Sequence, residues 1–198
     1  IRKCIAYCET YGAKRIIFTN NGKNYIAATV DANNSAFTIK SIGIMLDFET
    51  TDTVIEAKVA MGSILYFQST SYQIGINNGV FSCNNLANYG INTNPAIYTP
   101  QIEIHSLTIM NPVEDGVVVQ AYVGDISKLT VNGGKRGLVI KPVLGNIVTS
   151  LNIRSCYMLN QTVVGYDLDV TCYCVLIGCA ADNMPLAYSL NMRGGAMI

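Results

Sequence analysis

Pairs of carboxylates are the residues of this chain best suited to chemistry. Asp167 and Asp169 alternate along a predicted strand at 166–170, so both project from one face, about 7 Å apart after two residues of rise. Inverting glycoside hydrolases hold two carboxyl groups about 6.5–9.5 Å apart, and retaining ones about 5–5.5 Å. Asp167 and Asp169 are therefore the first candidate catalytic pair. The competing interpretation is that both face outward and only hydrate the surface.

Glu114 and Asp115 are a second, weaker candidate pair, because they stand just before a predicted strand and could rim a sugar groove. Lys135 and Arg136 occupy the same position before the next copy of that strand. Opposite charges on neighbouring strands attract each other. A structural ion pair is therefore the competing interpretation of these four residues.

Tyrosine is the residue type that could bind sugar without reacting with it. The chain has 12 tyrosines and no tryptophan, and a tyrosine ring combines an apolar face with a polar tip that suits wet surfaces. Tyr122 and Tyr166 are the candidates for stacking on a sugar ring, with Arg136 as a polar contact. A subunit interface or a core would use tyrosine equally well. The single histidine, His105, is weak evidence for catalysis on its own.

The seven cysteines show no spacing typical of a metal site, and one histidine adds little to them. We therefore predict no metal and no cofactor, and no disulfide framework. Free thiols packed as small apolar side chains are the expected arrangement. Such thiols favour assembly in a reducing compartment.

Composition excludes several function classes. Lys and Arg number 13 and Asp and Glu number 13, so the formal charge cancels, and only 13% of the residues are charged. A protein that binds nucleic acid through bulk charge needs a basic surplus, which is missing here. The apolar share is 50%, yet no run of 18 apolar residues exists that could span a bilayer. We expect a globular chain with no nucleic-acid partner and no membrane insertion.

Internal repeats indicate the elements that must position these candidates. The segments 104–109, 126–131 and 148–153 align without gaps at one constant spacing, and the strands at 116–119 and 137–140 repeat at nearly the same spacing. A period of about 22 residues with two or three short strands predicts one turn of a parallel β-helix. A β-sandwich is the alternative, although it does not require copies at fixed offsets. No periodicity holds across 47–61 or 86–101.

The N-terminal segment predicts a lid on this β-helix. Residues 1–11 have the apolar spacing of an amphipathic helix, and Gly12 supplies its C-terminal stop. A short helix there would cover the open end of the sheets. We predict one domain over 1–198, with an N-terminal cap at 1–30 and β-helical turns at 31–198. Apolar residues at both ends of the chain suggest a piece of a longer polypeptide.

Several segments of the chain are similar to a known superfamily. The opening IRKCIAYC, Gly12, Ile16-Ile17-Phe18, Gly22 and Tyr25-Ile26 resemble the "AIxxAIxxC" helix and "GGxVxFPxGxYxI" strand pair of the pectate-lyase-like right-handed β-helix superfamily. The segments 37–44 and 72–81 resemble its "IxLKSNVTI" and "NVTIxNGTF" strands. Thr19 stands where the family usually has Pro, and Ala13 where a second Gly is frequent. The resemblance implies an all-β, right-handed, single-stranded parallel β-helix with a short N-terminal capping α-helix.

Within that superfamily the chain looks most like a bacteriophage tailspike or tail fibre. This resemblance implies a homotrimer in the virion tail, assembled in the bacterial cytoplasm, that binds host cell-surface polysaccharide and could depolymerise it. The alternatives are a microbial polysaccharide lyase or glycoside hydrolase of the same fold, and a non-catalytic fibre shaft. The Asn-x-Asp, Gly-His-Gly and Arg-x-Lys motifs of polygalacturonases and the calcium-binding carboxylates of pectate lyases are absent. Whether the chain is an enzyme stays open at this point.

Overall fold

In the part of the chain that the structure describes, three parallel β-sheets of seven strands each surround an apolar interior, and each turn contributes one strand to every sheet. The predicted right-handed parallel β-helix with one N-terminal helix is confirmed. This computed structural model describes residues 1–12, 14–20, 24–40, 43–68, 74–95, 99–142, 150–170 and 173–192. The side chains at 99, 100, 121, 122, 170 and 192 lie outside that description.

The sheets are named A, B and C in the order in which the chain visits them. Sheet A contains β1 (Arg15–Phe18), β4 (Met45–Phe48), β7 (Ile74–Asn77), β10 (Thr99–His105), β13 (Ala121–Ser127), β16 (Ser150–Arg154) and β19 (Cys174–Ile177). Sheet B contains β2 (Tyr25–Ala27), β5 (Val54–Ala57), β8 (Val80–Ser82), β11 (Thr108–Met110), β14 (Thr130–Asn132), β17 (Tyr157–Leu159) and β20 (Ala180–Asp182). Sheet C contains β3 (Ser35–Ile39), β6 (Met61–Phe67), β9 (Ala87–Thr93), β12 (Asp115–Val119), β15 (Arg136–Ile140), β18 (Val164–Val170) and β21 (Leu186–Met192).

The strand register confirms part of the predicted repeat and corrects the rest. Ile104 pairs with Ile126 in sheet A, as the spacing of the first two copies requires. The predicted alignment of the third copy, 148–153, is wrong, because Ile153 pairs with Ile126 and not with Val131. A single residue separates β12 from β13, whereas 141–149 separate β15 from β16. Because of this longer connection, the strands after β15 no longer follow the predicted period of about 22 residues.

Residues with left-handed backbone turn the chain from sheet A to sheet B. Ser106, Lys128 and Ser155 each have a φ of 53°, and Gly178 has a φ of 61°. Such a residue bends the chain sharply and returns the next side chain to the interior. The side chains that follow these four residues are Leu107, Leu129, Cys156 and Cys179.

Asparagines make the corresponding turn from sheet B to sheet C. Asn111, Asn160 and Asn183 have φ values of 52°, 60° and 59°, and asparagine tolerates this left-handed region better than most residues. Their side chains also connect the turns, since Asn160 Nδ2 donates to Asn132 Oδ1 at 2.9 Å and Asn183 Nδ2 donates to Asn160 Oδ1 at 2.5 Å. Both corners are therefore built from residues that repeat from turn to turn.

A column of glycines marks the beginning of sheet C, at Gly90, Gly116, Gly137 and Gly165. A Cβ on Gly116 would lie 2.8 Å from the backbone oxygen of Gly137 and would collide with the Val131 side chain. Glycine is required here because sheets B and C approach each other too closely for a side chain.

The interior is filled by aliphatic residues and, in the first turns, by stacked aromatic rings. Phe18 and Phe48 stack with ring centroids 4.4 Å apart, and Phe81 meets Phe48 edge-on at 5.9 Å. All three are at most 3% exposed. Like side chains thus pack on like side chains along the axis of the β-helix.

The predicted N-terminal lid is confirmed as α1 (Arg2–Tyr11). It packs on β1 and β3, the first strands of sheets A and C. Ile5 and Cys8 are its buried residues, and Gly12 ends it with a left-handed φ of 71°. In the part of the chain that the structure describes, no helix has the length and apolar character needed to cross a membrane.

Candidate functional site

Arg136 stands at the centre of the charged residues that the sequence singles out. It begins β15, opposite Asp115 on β12, and binds that carboxylate through Nε at 2.9 Å and Nη2 at 2.6 Å. Its Nη1 donates to Asp167 Oδ2 on β18 at 2.9 Å. One guanidinium thus bridges carboxylates on the preceding and the following turn of sheet C.

Burial makes this bridge a structural element. The side chain of Asp115 is 3% exposed and that of Arg136 is 28% exposed. A buried carboxylate costs several kcal/mol unless it is paired and hydrogen-bonded. The hydrogen bonds to Asp115 raise the pKa of the Arg136 guanidinium, which therefore stays charged. Arg136 was predicted to contact a sugar. Its three guanidinium nitrogens instead each donate to a carboxylate of the protein itself.

Glu114 and Lys135 form the second predicted contact between these turns. Lys135 Nζ lies 2.7 Å from Glu114 Oε2, and both side chains are substantially exposed. The hydrogen bond from Lys135 to Glu114 raises the pKa of the lysine. The ion-pair interpretation of Glu114, Asp115, Lys135 and Arg136 is thus the arrangement seen in the structure.

Asp167 and Asp169 lie on the outer face of sheet C. Leu168 between them is 1% exposed and points inward, so the two carboxylates share the opposite face, as predicted. Asp167 is paired with Arg136, and Asp169 Oδ1 accepts a hydrogen bond from Asn191 Nδ2 at 2.9 Å. Their catalytic role stays a prediction, with each carboxylate engaged by a different neighbour.

The two candidate tyrosines are placed differently. Tyr166 is fully buried, its ring stacks on Tyr188 with centroids 4.9 Å apart, and its hydroxyl donates to the carbonyl oxygen of Cys156 at 2.8 Å. This burial leaves no exposed ring face for a sugar. Tyr122 lies in β13, and its side chain is outside the described residues.

A polar surface that the sequence reasoning missed covers the middle of sheet A. We call it the sheet A face and define it by the outward side chains of the consecutive strands β7, β10, β13 and β16: Asn77, Gln101, Glu103, His105, Asp125, Ser127, Asn152 and Arg154. Between these positions the strands alternate with buried aliphatic residues such as Ile104, Ile126 and Ile153. The face is therefore the outer half of a period-two pattern.

Short contacts order the side chains of the sheet A face. His105 Nδ1 and Ser127 Oγ are 2.7 Å apart. Arg154 Nη2 donates to both oxygens of Asp125, at 3.0 and 2.8 Å. The histidine, the serine and the arginine follow one another in register on β10, β13 and β16. A basic group and a hydroxyl thus lie beside each other on successive turns.

Two carboxylates of the sheet A face also stand in register. Glu103 on β10 pairs with Asp125 on β13, and adjacent strands are about 4.8 Å apart. Their surroundings differ: Asp125 carries the arginine contact, whereas Glu103 Oε1 accepts an amide hydrogen bond from Gln101 at 3.0 Å. The spacing that relates Ile104 to Ile126 also relates Glu103 to Asp125 and His105 to Ser127. The sheet A face could therefore have been found from the sequence by applying the spacing between Ile104 and Ile126 to the outward residues of the same strands.

The described residues contain no group of three or more His, Cys, Asp and Glu side chains arranged to hold a metal ion. Six cysteines, Cys4, Cys8, Cys83, Cys156, Cys174 and Cys179, are free thiols, and the seventh, Cys172, lies outside the described residues. Comparison of the chain with protein-family models, with curated proteins and with solved structures finds no match. The chemistry must be argued from the residues themselves.

The Arg136 bridge leads to a test of stability. Arg136→Met should lower the free energy of unfolding by about 3–5 kcal/mol, because it leaves Asp115 buried without a partner. Lys135→Met, which breaks an exposed pair, should cost much less than Arg136→Met. Urea unfolding at neutral pH measures both. Adding Asp115→Asn to Arg136→Met should restore part of the loss, and equal costs for the two single variants would contradict the assignment.

Proposed function

We propose that this β-helix binds an extended polysaccharide along the sheet A face. The observation that carries the proposal is the in-register succession of polar side chains across neighbouring strands, from β7 through β10 and β13 to β16. Each strand presents hydrogen-bond donors and acceptors on this face, and neighbouring strands are about 4.8 Å apart. A polymer with repeating hydroxyl groups, lying along the axis of the β-helix, is a ligand that such a surface suits.

The chemistry of the face supports a sugar ligand. Carboxylates accept hydrogen bonds from sugar hydroxyls, arginine donates to them, and amide and hydroxyl side chains do both. Asn152 and Ser127 supply neutral groups of the last kind, next to the charged Asp125 and Arg154. Apart from the exposed Arg154, the residues of the face are half-buried, so ordering their side chains on binding costs little entropy.

Binding can be tested with two matched variants. Arg154→Gln and Lys135→Gln each remove one cation from an exposed ion pair, at Arg154–Asp125 on the sheet A face and at Lys135–Glu114 beside sheet C. Arg154→Gln should weaken binding about tenfold or more, because hydrogen bonds to a charged group contribute about 1.5–3 kcal/mol. Lys135→Gln should bind like the parent.

Affinity electrophoresis through gels that contain bacterial surface polysaccharides, one at a time, gives the measurement. Retardation of the parent chain by at least one polysaccharide, lost selectively in Arg154→Gln, is the expected result. Equal retardation of both variants would remove the sheet A face from the proposal, and no retardation in any gel would favour a fibre shaft that touches no sugar.

Hydrolysis of the bound polymer is a second candidate function, favoured by the register of Glu103 and Asp125. The strand spacing puts the backbones of the two residues about 4.8 Å apart, and retaining glycosidases hold their two carboxyl groups about 5–5.5 Å apart. Asp125, positioned by Arg154, would attack the anomeric carbon while Glu103 protonates the departing oxygen. Glu103 would then take a proton from the water that releases the sugar from Asp125.

The two carboxylate pairs make opposite predictions for catalysis. If the sheet A face hydrolyses the polymer, Glu103→Gln should reduce the release of reducing ends about 100-fold or more, since general acid–base catalysis contributes about 10²–10⁴. Asp169→Asn, on the outer face of sheet C, should leave the rate unchanged. The reverse outcome would assign catalysis to Asp167 and Asp169. Circular dichroism of each variant checks that the fold is retained.

The biological setting that we propose is a bacteriophage tailspike or tail fibre, in which this segment recognises host cell-surface polysaccharide from the virion tail. The support for this setting is the resemblance of the N-terminal helix and strand motifs, together with the β-helical fold. Such a segment would assemble in the bacterial cytoplasm, where free thiols persist. A microbial lyase or hydrolase would use the same face as a monomer.

Oligomeric state separates these settings. Light scattering of the purified chain should give three times the mass of the 21.4 kDa monomer if the tailspike setting is right. A side-by-side trimer would also bury part of the lateral surface of each chain. Chemical labelling should then modify lysines on the buried face less than lysines on the exposed faces. A monomer at all concentrations would contradict the trimer and favour the secreted-enzyme alternative, with the polysaccharide experiments unaffected.

A further inference from the structure

Two cysteines occupy the same corner position on the last two turns of the β-helix. Cys156 follows Ser155 and Cys179 follows Gly178, and both stand where the earlier turns have Leu107 and Leu129. The backbone amide of Ala180 donates to the carbonyl oxygen of Cys156 at 2.9 Å, and Tyr157 pairs with Ala180 in sheet B. One cysteine therefore lies directly above the other.

The stacking meets the geometric requirement of a disulfide. Neighbouring parallel strands are about 4.8 Å apart, and disulfides join residues whose Cα atoms lie about 4.4–6.8 Å apart. The two thiols influence each other, since each shifts the pKa of the other, while Cys156 Sγ donates to the carbonyl oxygen of Arg154 at 3.4 Å and Cys179 Sγ to that of Ile153 at 3.5 Å. Joining the sulfurs would draw the two strands slightly together, since a disulfide holds its Cβ atoms about 3.5–4.5 Å apart.

The two thiols differ in access and in acidity. Cys156 is 1% exposed, whereas Cys179 is half-buried. The interaction with the side chain of Cys156 lowers the pKa of Cys179. The interaction with the side chain of Cys179 and burial raise the pKa of Cys156. The accessible thiol is thus also the one that forms the nucleophilic thiolate more readily.

Hydroxyl groups hold the backbone around this pair. The single hydroxyl proton of Tyr166 is shared between the carbonyl oxygens of Cys156 at 2.8 Å and Ala180 at 3.1 Å, and Tyr188 donates to the carbonyl oxygen of Cys179 at 2.8 Å. Cys83, by contrast, is fully buried, and burial raises the pKa of its thiol to about 12. The setting of Cys156 and Cys179 thus differs from that of a thiol used only for packing.

We propose that Cys156 and Cys179 form a redox-active dithiol that low-molecular-weight disulfides oxidise to an intramolecular disulfide bond. The Cys179 thiolate attacks one sulfur of the small disulfide, whose S–S bond breaks, and the expelled thiolate takes up a proton. Cys156 then loses its proton and attacks the sulfur of Cys179 in the mixed disulfide, which expels the second small thiol. Two protein thiols are oxidised and one small disulfide is reduced to two thiols.

The disulfide would fasten the last described turn to the one before it. Among the described strands, β19, β20 and β21 each pair along one side only, with β16, β17 and β18. A covalent link between these turns limits separation of the strands. Oxidation would therefore protect the segment 180–192 from opening, independently of any polysaccharide on the sheet A face.

Peptide mapping of the oxidised full-length chain tests the proposal. A Cys4→Ser background removes the exposed thiol, and the protein is treated with oxidised glutathione at neutral pH. After denaturation, free thiols are alkylated and the peptides are analysed by mass spectrometry. The expected product is a peptide pair joined through Cys156 and Cys179, lighter by two hydrogen atoms than its reduced parts and separated again by dithiothreitol.

Single variants test the order of attack. Cys156→Ser should leave Cys179 trapped as the glutathione mixed disulfide, and Cys179→Ser should leave Cys156 alkylated as a free thiol. Cys83→Ala, the matched buried control, should still form the Cys156–Cys179 link. Recovery of Cys156 and Cys179 as free thiols after oxidation of the unmutated pair, or pairing of Cys179 with Cys172 or Cys174, would overturn the proposal.

Discussion

In-register stacking of parallel strands is the constraint on which this molecule depends. Each side chain contacts the residues at the equivalent position one turn before and one turn after. The residues at equivalent positions must therefore pack against each other without a clash, a void or like-charge repulsion. Apolar positions satisfy this requirement easily, as in the pairing of Ile104 with Ile76 and Ile126. Glycine satisfies it at the narrow beginning of sheet C, and asparagine at the corner after sheet B.

Charged residues satisfy the same constraint mainly in opposite pairs, and Glu103 beside Asp125 on the sheet A face is an exception. A column of like charges about 4.8 Å apart would repel, and the ion pairs of the described residues indeed join different turns, apart from Lys58–Glu56 within one turn. The Asp115–Arg136–Asp167 series shows the rule over three turns. A low share of charged residues with equal numbers of each sign is the composition that such stacking favours.

The sequence contained enough to predict the fold, the contacts of Arg136 with Asp115 and the β10–β13 part of the sheet A face, and too little to place β16 on that face. Turns of equal length repeat at a constant spacing in the sequence. The prediction from that spacing that Asp115 lies beside Arg136 is correct. The extra residues at 141–149 broke that periodicity, so Arg154 could not be placed beside Ser127. The outward positions of the sheet A face also carry no repeated residue type: Glu103 stacks on Asp125 and His105 on Ser127. A search for self-similarity detects the buried half of a strand and overlooks the outer half.

This asymmetry bears on where function can lie in a stacked fold. The inward side chains are fixed by their neighbours above and below, and the corners by backbone conformation, so specificity has to reside in outward positions. On the outer face of sheet C these positions are occupied by contacts among Arg136, Asp167 and Asp169 and their neighbours. Sheet A places a histidine, a serine and an arginine in succession, a combination that the packing of the core does not require. A ligand that lies across several strands gains contacts in proportion to the number of turns it covers, which is why an extended polymer suits this architecture better than a compact molecule does.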